Sequence, residues 1–161
     1  MSNDNQMLVQ RREKAEDLAN LGTRLYSNSF KPAHHVKDLL PRGEGLEPQE
    51  AEAGKPSCSI SGRIVAMRKF GKAAFFSIAD VSGSMQVYVR KDVLGDDLFN
   101  AFKKWDIGDI VGAEGHLFKT KTGELSIHAQ AIEMISKSLR PLPEKWHGLT
   151  DVETRYRQRY L

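Results

Sequence analysis

Residues 71–90 read GKAAFFSIADVSGSMQVYVR, two runs of strand-forming residues around a VSGS turn. Side chains alternate across a strand, so the adjacent Phe75 and Phe76 must face opposite ways. The pattern around them decides which goes where. Phe76 shares a side with Ile78, and the apolar side of the next run is Met85, Val87 and Val89. The two strands of a hairpin share one interior, so Phe76 enters the core. Phe75 then lies outside, on the surface that carries Gln86 and Tyr88.

Strand periodicity continues on both sides of this hairpin. CSISGRIVAMRKF (58–70) predicts a long first strand with Gly62 as a bend or bulge. AAFFSIAD (73–80) and MQVYVRKD (85–92) are the second and third strands. DDLFNAFKKW (96–105) switches to helical spacing through Leu98, Phe99 and Phe102, with an acidic start and basic end that suit the helix dipole. DIVGAEGHLFK (109–119) and ELSIHAQAIEMIS (124–136) predict the fourth and fifth strands, joined by a TKTG turn. Three strands, a short helix and two more strands, with glycine in a long first strand, fit a mainly β, five-stranded OB-fold barrel.

Ahead of the barrel, QMLVQRREKAEDLANL (6–21) predicts an α-helix with a stripe at Leu8, Ala15, Leu18, Ala19 and Leu21, stopped by Gly22. Residues 23–40 read as extended, then briefly helical. Residues 41–56 hold three prolines, three glycines and four glutamates, the composition of a solvated linker. The chain thus divides into a helix and linker (1–56), the barrel (57–138) and a connector (139–161).

Composition narrows the classes. The chain has 161 residues and a net charge of +3. A single cysteine, Cys58, excludes an intramolecular disulfide and reads as inert. No apolar run has membrane-spanning length and the N-terminus MSNDNQ is polar, so no membrane partner and a cytoplasmic location are expected. Residues 57–135 carry ten Lys/Arg against nine Asp/Glu, so nucleic acid would meet a local site rather than a bulk field. Neither GxGxxG nor a Walker lysine is present, and no Cys/His cluster has zinc spacing. His116, His128 and His147 read as isolated, and His34–His35 as a loop pair.

The outer surface is where chemistry concentrates. In the fifth strand Leu125 and Ile127 read as inward, and Glu124, Ser126 and His128 as outward. Arg68 of the first strand can share that surface, but the bend at Gly62 leaves its parity open. Phe75 offers a ring on which one unstacked base can lie. Gln86 offers a donor and an acceptor to a base edge, and Glu124 accepts only. An outward Phe beside a Tyr also fits an ordinary cross-strand pair, or a surface covered by the N-terminal helix. Lys119 and Lys121 equally fit solubilising hairpin charges.

These strings together resemble a known family. GKAAFFSIADVSGSMQVYV is similar to strands two and three of the anticodon-binding domain of class IIb aminoacyl-tRNA synthetases. FKKWDIGDIVGAEGHLFKTKTGELSIHA and LRPLPEKWHGLTDVETRYRQRYL resemble the lysyl-tRNA synthetase version and its connector to a catalytic domain. RREKAEDLANLG resembles its N-terminal helix; the loop 41–56 is the least similar part. The resemblance places the stacking aromatic on Phe75, the uracil-reading glutamine on Gln86, its acidic partner on Glu124 and the first-strand arginine on Arg68. Lys69, Lys72, Lys119 and Lys121 would steer phosphates.

The implied partner is the uracil-rich anticodon loop of a lysine tRNA, and the whole family protein is expected to be a homodimeric ligase using ATP and Mg. The motif arginines, third glycine-rich motif and magnesium carboxylates of that ligase are absent from these residues. The resemblance therefore implies a piece of a longer protein that holds no cofactor and cannot aminoacylate alone. Two other readings remain: a sequence-tolerant single-strand binder, expected to carry more aromatics on this face, and a dimerisation or interaction piece built on the first helix and RYRQRYL.

Overall fold

The computed structural model describes residues 3–48, 57–141 and 156. Helix α1 (Asn3–Asn20) is followed by an extended segment, a single turn α2 (Val36–Leu39) and a 3₁₀ turn (Pro41–Gly43). The barrel comprises β1 (Ser57–Phe70), β2 (Ala73–Asp80), β3 (Gly83–Arg90), β4 (Ile110–Lys119) and β5 (Leu125–Ser136). Between β3 and β4 lie α3 (Lys91–Leu94) and α4 (Asp96–Phe102). The sheet closes in the order β1-β2-β3-β5-β4. The strand expected to run through Asp92 leaves the sheet at Arg90, where the chain turns into α3. The expected helix ends at Phe102, and Trp105 follows in a turn rather than in the helix.

Closure depends on β1 having two partners. Residues 57–63 pair with β4 and residues 63–70 with β2. The strand must bend where it changes partner, and a Cβ at Gly62 would lie 2.3 Å from the Ala79 carbonyl oxygen. Only glycine fits that approach. A register shift between Ile64 and Ala66 follows, which turns the alternation over. Cys58, Ile60 and Ile64 face the core on one side of the shift, and Met67 packs toward it on the other. The parity that the sequence left open is thereby fixed, and Arg68 comes opposite Phe75 on the outer face.

The interior is the one that the alternation predicts. Phe76, Ile78, Met85, Val87, Val89 and Ile127 are all buried. Helix α4 closes one end of the barrel with Phe99 and Phe102. The Phe102 ring lies 5.4 Å from both Phe76 and Trp105. Burying such aromatic rings contributes about 1.5–3 kcal/mol each.

Helix α1 ends in a Schellman motif. Gly22 has φ +78°, its N–H donates to Ala19 O, and the Thr23 N–H donates to Leu18 O. Its packed stripe runs through Leu8, Arg11, Ala15 and Leu18, while Ala19 and Leu21 are exposed. Arg11 replaces the expected apolar residues because it reaches the carbonyl oxygens of Ile107 and Ser138 at 2.9 and 3.0 Å. The extended segment then wraps the barrel, with the Ser27 N–H donating to Ile135 O and Phe30 lying over Gly112.

A buried ionic cluster ties these parts together. Lys137 Nζ, fully buried, donates to Asp106 Oδ2 at 2.8 Å and to both Asp109 oxygens at 2.9 and 3.0 Å. Lys14 of α1 donates to Asp106 at 2.6 Å. Burial alone would raise the Asp106 pKa, but hydrogen bonds from Lys137 and Lys14 outweigh it and hold the carboxyl below the usual range. Its stabilisation is therefore complete above the unfolded value of about 3.9 and is lost as pH falls through the lower folded value. Lys137→Met leaves the buried Asp109 carboxylate without its cation, although Asp106 keeps Lys14, and is expected to cost about 3–5 kcal/mol in urea unfolding. A loss under about 1 kcal/mol, on the scale of an exposed pair, would contradict this account.

Candidate nucleic-acid interface

The outer face of β1, β2, β3 and β5 is ordered in rows by register. Arg68 pairs with Phe75, Phe75 with Tyr88, and Tyr88 with His128. One step along, Ser77 pairs with Gln86 and Gln86 with Ser126. Phe75 is half-buried, and its ring stacks on Tyr88 at 4.6 Å and 25°. Tyr88 stacks in turn on His128 at 5.4 Å and 29°. Phe70, on β1, meets Phe75 edge-on at 6.4 Å. The ion pairs of α1 go to Lys104 and Asp106, beside the α4–β4 connection, so the helix does not serve as a cover for Phe75.

Gln86 sits in a polar network that fixes its amide. Its Nε2 donates to Glu124 Oε2 at 3.3 Å, and its Oε1 accepts from Ser126 Oγ at 3.0 Å. Glu124 is held from behind by the turn before it. The Thr120 N–H donates to Glu124 O at 2.9 Å, and the Glu124 N–H donates to Thr120 Oγ1 at 3.0 Å. Gly123, with φ +85°, makes that turn possible. Each amide group retains hydrogen-bonding capacity beyond these contacts. The network thus presents a donor, an acceptor and a carboxylate beside an aromatic stack.

The eight sequence candidates do not all meet. Phe75, Gln86 and Glu124 lie together, with exposed Arg68 beside Phe75. Lys119 and Lys121 flank the turn that carries Glu124, and Lys72 lies in the β1–β2 turn past Phe75. Lys69 is turned away. It pairs with inward-facing Ala74, its Nζ donates to Lys103 O at 2.6 Å, and it lies 5.7 Å from the Phe102 ring centroid. That ammonium caps the end of α4.

Two expectations need correction. Ser126 and His128 do belong to the outer face, but both are buried, because Gln86, Tyr88 and Phe118 cover them. His116 and His128 are not isolated. The bulge at Gly115 brings β4 and β5 together so that His128 Nδ1 and His116 Nε2 lie 3.3 Å apart. The roles of Ser126 and Thr120 were not foreseen. Alternation put Ser126 beside Gln86, but no rule of period reveals a hydrogen bond. Cys58 is buried, and burial, opposed by Arg42, pushes its thiol up to about 12, so it stays protonated.

Fold, stacked rings and fixed amide define a class: an OB-fold domain built to bind nucleic acid. Residues 58–135 match the tRNA anticodon-type OB-fold nucleic acid binding domain. The chain is 50% identical over 159 residues to a lysine–tRNA ligase of Anaeromyxobacter dehalogenans, covering 98% of the chain and 31% of that protein. It is 46% identical over 158 residues to the lysine–tRNA ligase of Ralstonia nicotianae and 45% over 157 to that of Chromobacterium violaceum, again 31% of each. Residues 58–135 thus form an OB-fold domain of the tRNA anticodon-binding kind, and the chain is similar along nearly its whole length to part of lysine–tRNA ligases. It spans about 31% of the length of these relatives.

The buried His128 makes the fold sensitive to mild acid. Burial lowers the His128 pKa first, His116 and Arg90 lower it further, and Asp92 opposes them. The folded chain then binds this proton less readily than the unfolded chain. Stability is complete above about pH 6.5 and falls as pH drops through that value toward the folded one. The melting temperature should decline as pH falls below about 6.5, and His128→Phe should flatten the decline. An unchanged slope in that variant would assign the effect elsewhere.

Proposed function

We propose that this chain reads the anticodon loop of a lysine tRNA for a lysine–tRNA ligase of which it is a part. One observation carries the reading. The glutamine amide is fixed between a serine and a glutamate directly beside a stacked aromatic pair, on the strand 2–3 face that OB barrels use for oligonucleotides. A central uracil suits this arrangement. Its ring lies against Phe75, its N3–H has Glu124 or the Gln86 carbonyl as an acceptor, and its carbonyls meet the Gln86 amide. Arg68, Lys72, Lys119 and Lys121 hold flanking phosphates.

The step is binding, not chemistry. Selecting the tRNA here leaves attachment of lysine, with ATP and Mg, to the rest of such a ligase, a homodimer in this proposal. Among the described residues no group of three His, Cys, Asp or Glu is placed to hold a metal ion, and no catalytic step is derived for them. Among the same residues no helix is long and apolar enough to cross a membrane; the proposed setting is the cytoplasm.

The sequence-tolerant reading gains one point from the structure, since Phe70 and Tyr88 join Phe75 on the face. Gln86 decides between the two. The interaction reading rests partly on RYRQRYL, which lies almost wholly outside the described residues.

The decisive titration uses a lysine-anticodon stem-loop against a copy with its central uracil replaced, at fixed moderate salt. Phe75→Ala should weaken binding by about 1–3 kcal/mol with the fold intact. Gln86→Ala should erase the preference for uracil at one position. Equal affinity of the native chain for both loops would leave a generic single-strand surface. A Phe75→Ala variant with a collapsed melting temperature and normal binding would make that ring structural.

A further inference from the structure

The outer face has one more row beyond Phe75. Phe70 pairs with Ala73, and Ala73 pairs with Arg90. The middle residue is small and its neighbours are large, which leaves a groove of about 510 Å³ with Ala73 on its lining and Phe70, Lys72, Arg90 and Lys91 around it. The volume lies within the usual range of small-ligand sites. Phe70 is 59% exposed, although an aromatic ring gains by leaving water. The core does not use it. Its ring contact in the structure is the edge-on one with Phe75.

Charge at the groove favours an anion of modest size. Asp92 is engaged by Arg90 and Asp96 by Lys91, so each acid is matched by a base. Lys72 is left as the excess positive charge on the lining. One phosphodiester group suits that balance; a polyanion does not.

We propose that this groove is a second nucleotide subsite, which receives the neighbour of the base held on Phe75. The inference rests on the anticodon-binding reading above and extends it to Phe70, which that reading does not use, while giving Lys72 a defined place beside it. The base of that neighbour lies against Phe70, and its phosphate points to Lys72. Spacing supports the assignment. Successive rows on one face are two residues apart, about 6.6–6.8 Å, and the Phe70 and Phe75 rings are 6.4 Å apart, so they offer adjacent places for successive bases. Orientation supports it as well. The Phe70 and Phe75 rings are inclined at 77°, so bases laid on them cannot stack on one another. The loop must therefore be splayed across the face, as single-stranded RNA is when its bases are recognised one at a time. The three rows form a sequence: edge reading at Gln86, stacking at Phe75, and a second ring with a phosphate site at Phe70.

The test titrates the 161-residue chain with the lysine-anticodon stem-loop and with two copies that are abasic on one or the other side of the central uracil. Phe70→Ala should weaken binding of the intact loop about five- to a hundred-fold. Phe70→Trp, which keeps a ring, should retain affinity. The Phe70→Ala penalty should vanish on one of the two abasic loops and persist on the other. Melting temperatures check that the exposed ring is dispensable to the fold. If Phe75→Ala weakens binding and Phe70→Ala does not, the groove is idle and the first reading stands. If Phe70→Ala weakens all three RNAs equally, the ring holds no base and the subsite is refuted. If neither variant binds less tightly than the native chain, the whole face is wrong, and the groove with it.

Discussion

Strand β1 hydrogen-bonds β4 with its first half and β2 with its second, and the passage between them is made at Gly62. A side chain there would collide with the backbone of β2. The register shift that follows reverses which residues face outward, and it is this reversal that sets Arg68 across from Phe75 and Phe70 across from Ala73. Without it the same sequence would place Met67 and Lys69 on the outer face. The surface chemistry of the domain is thus a consequence of how one strand is shared between two neighbours.

The outer face is organised before any ligand arrives. Three rings are stacked or crossed, and the glutamine amide is held at both ends. Little side-chain freedom remains to be lost on binding, which is the usual route by which a small, nearly neutral surface reaches useful affinity. In the proposed function selectivity rests on the matching of donors and acceptors, since charge alone is close to balanced across the barrel.

Much of this was legible in the chain. Alternation gave the inward set Phe76, Ile78, Val87 and Val89, and the second strand to its end residues, because a two-residue period is unambiguous where one face is buried. The barrel order followed from the strand and helix pattern. What escaped was what depends on distance in space. Arg68 could not be placed, since a bulge leaves no sequence mark of its position. Lys69 looked like its neighbour Lys72, but the same bulge sends it to the end of α4. His116 and His128 are twelve residues apart, and their contact arises from the shift at Gly115. Arg11 was no part of the stripe read from the helix, yet it is buried because two carbonyl groups await it.

The sharing of β1 also imposes an order in time. Its second half can pair as soon as β2 exists, a local hairpin with a two-residue turn. Its first half must wait for β4, whose paired residues 110–116 lie about fifty positions further on. As the chain leaves the ribosome, residues 57–63 therefore remain an unsatisfied edge through the making of β2, β3 and α4. Such an edge is a template for pairing with another chain. Closing so long a loop is also costly in entropy and slow. The geometry that makes a closed barrel out of five strands accordingly leaves the nascent domain with one late, vulnerable seam.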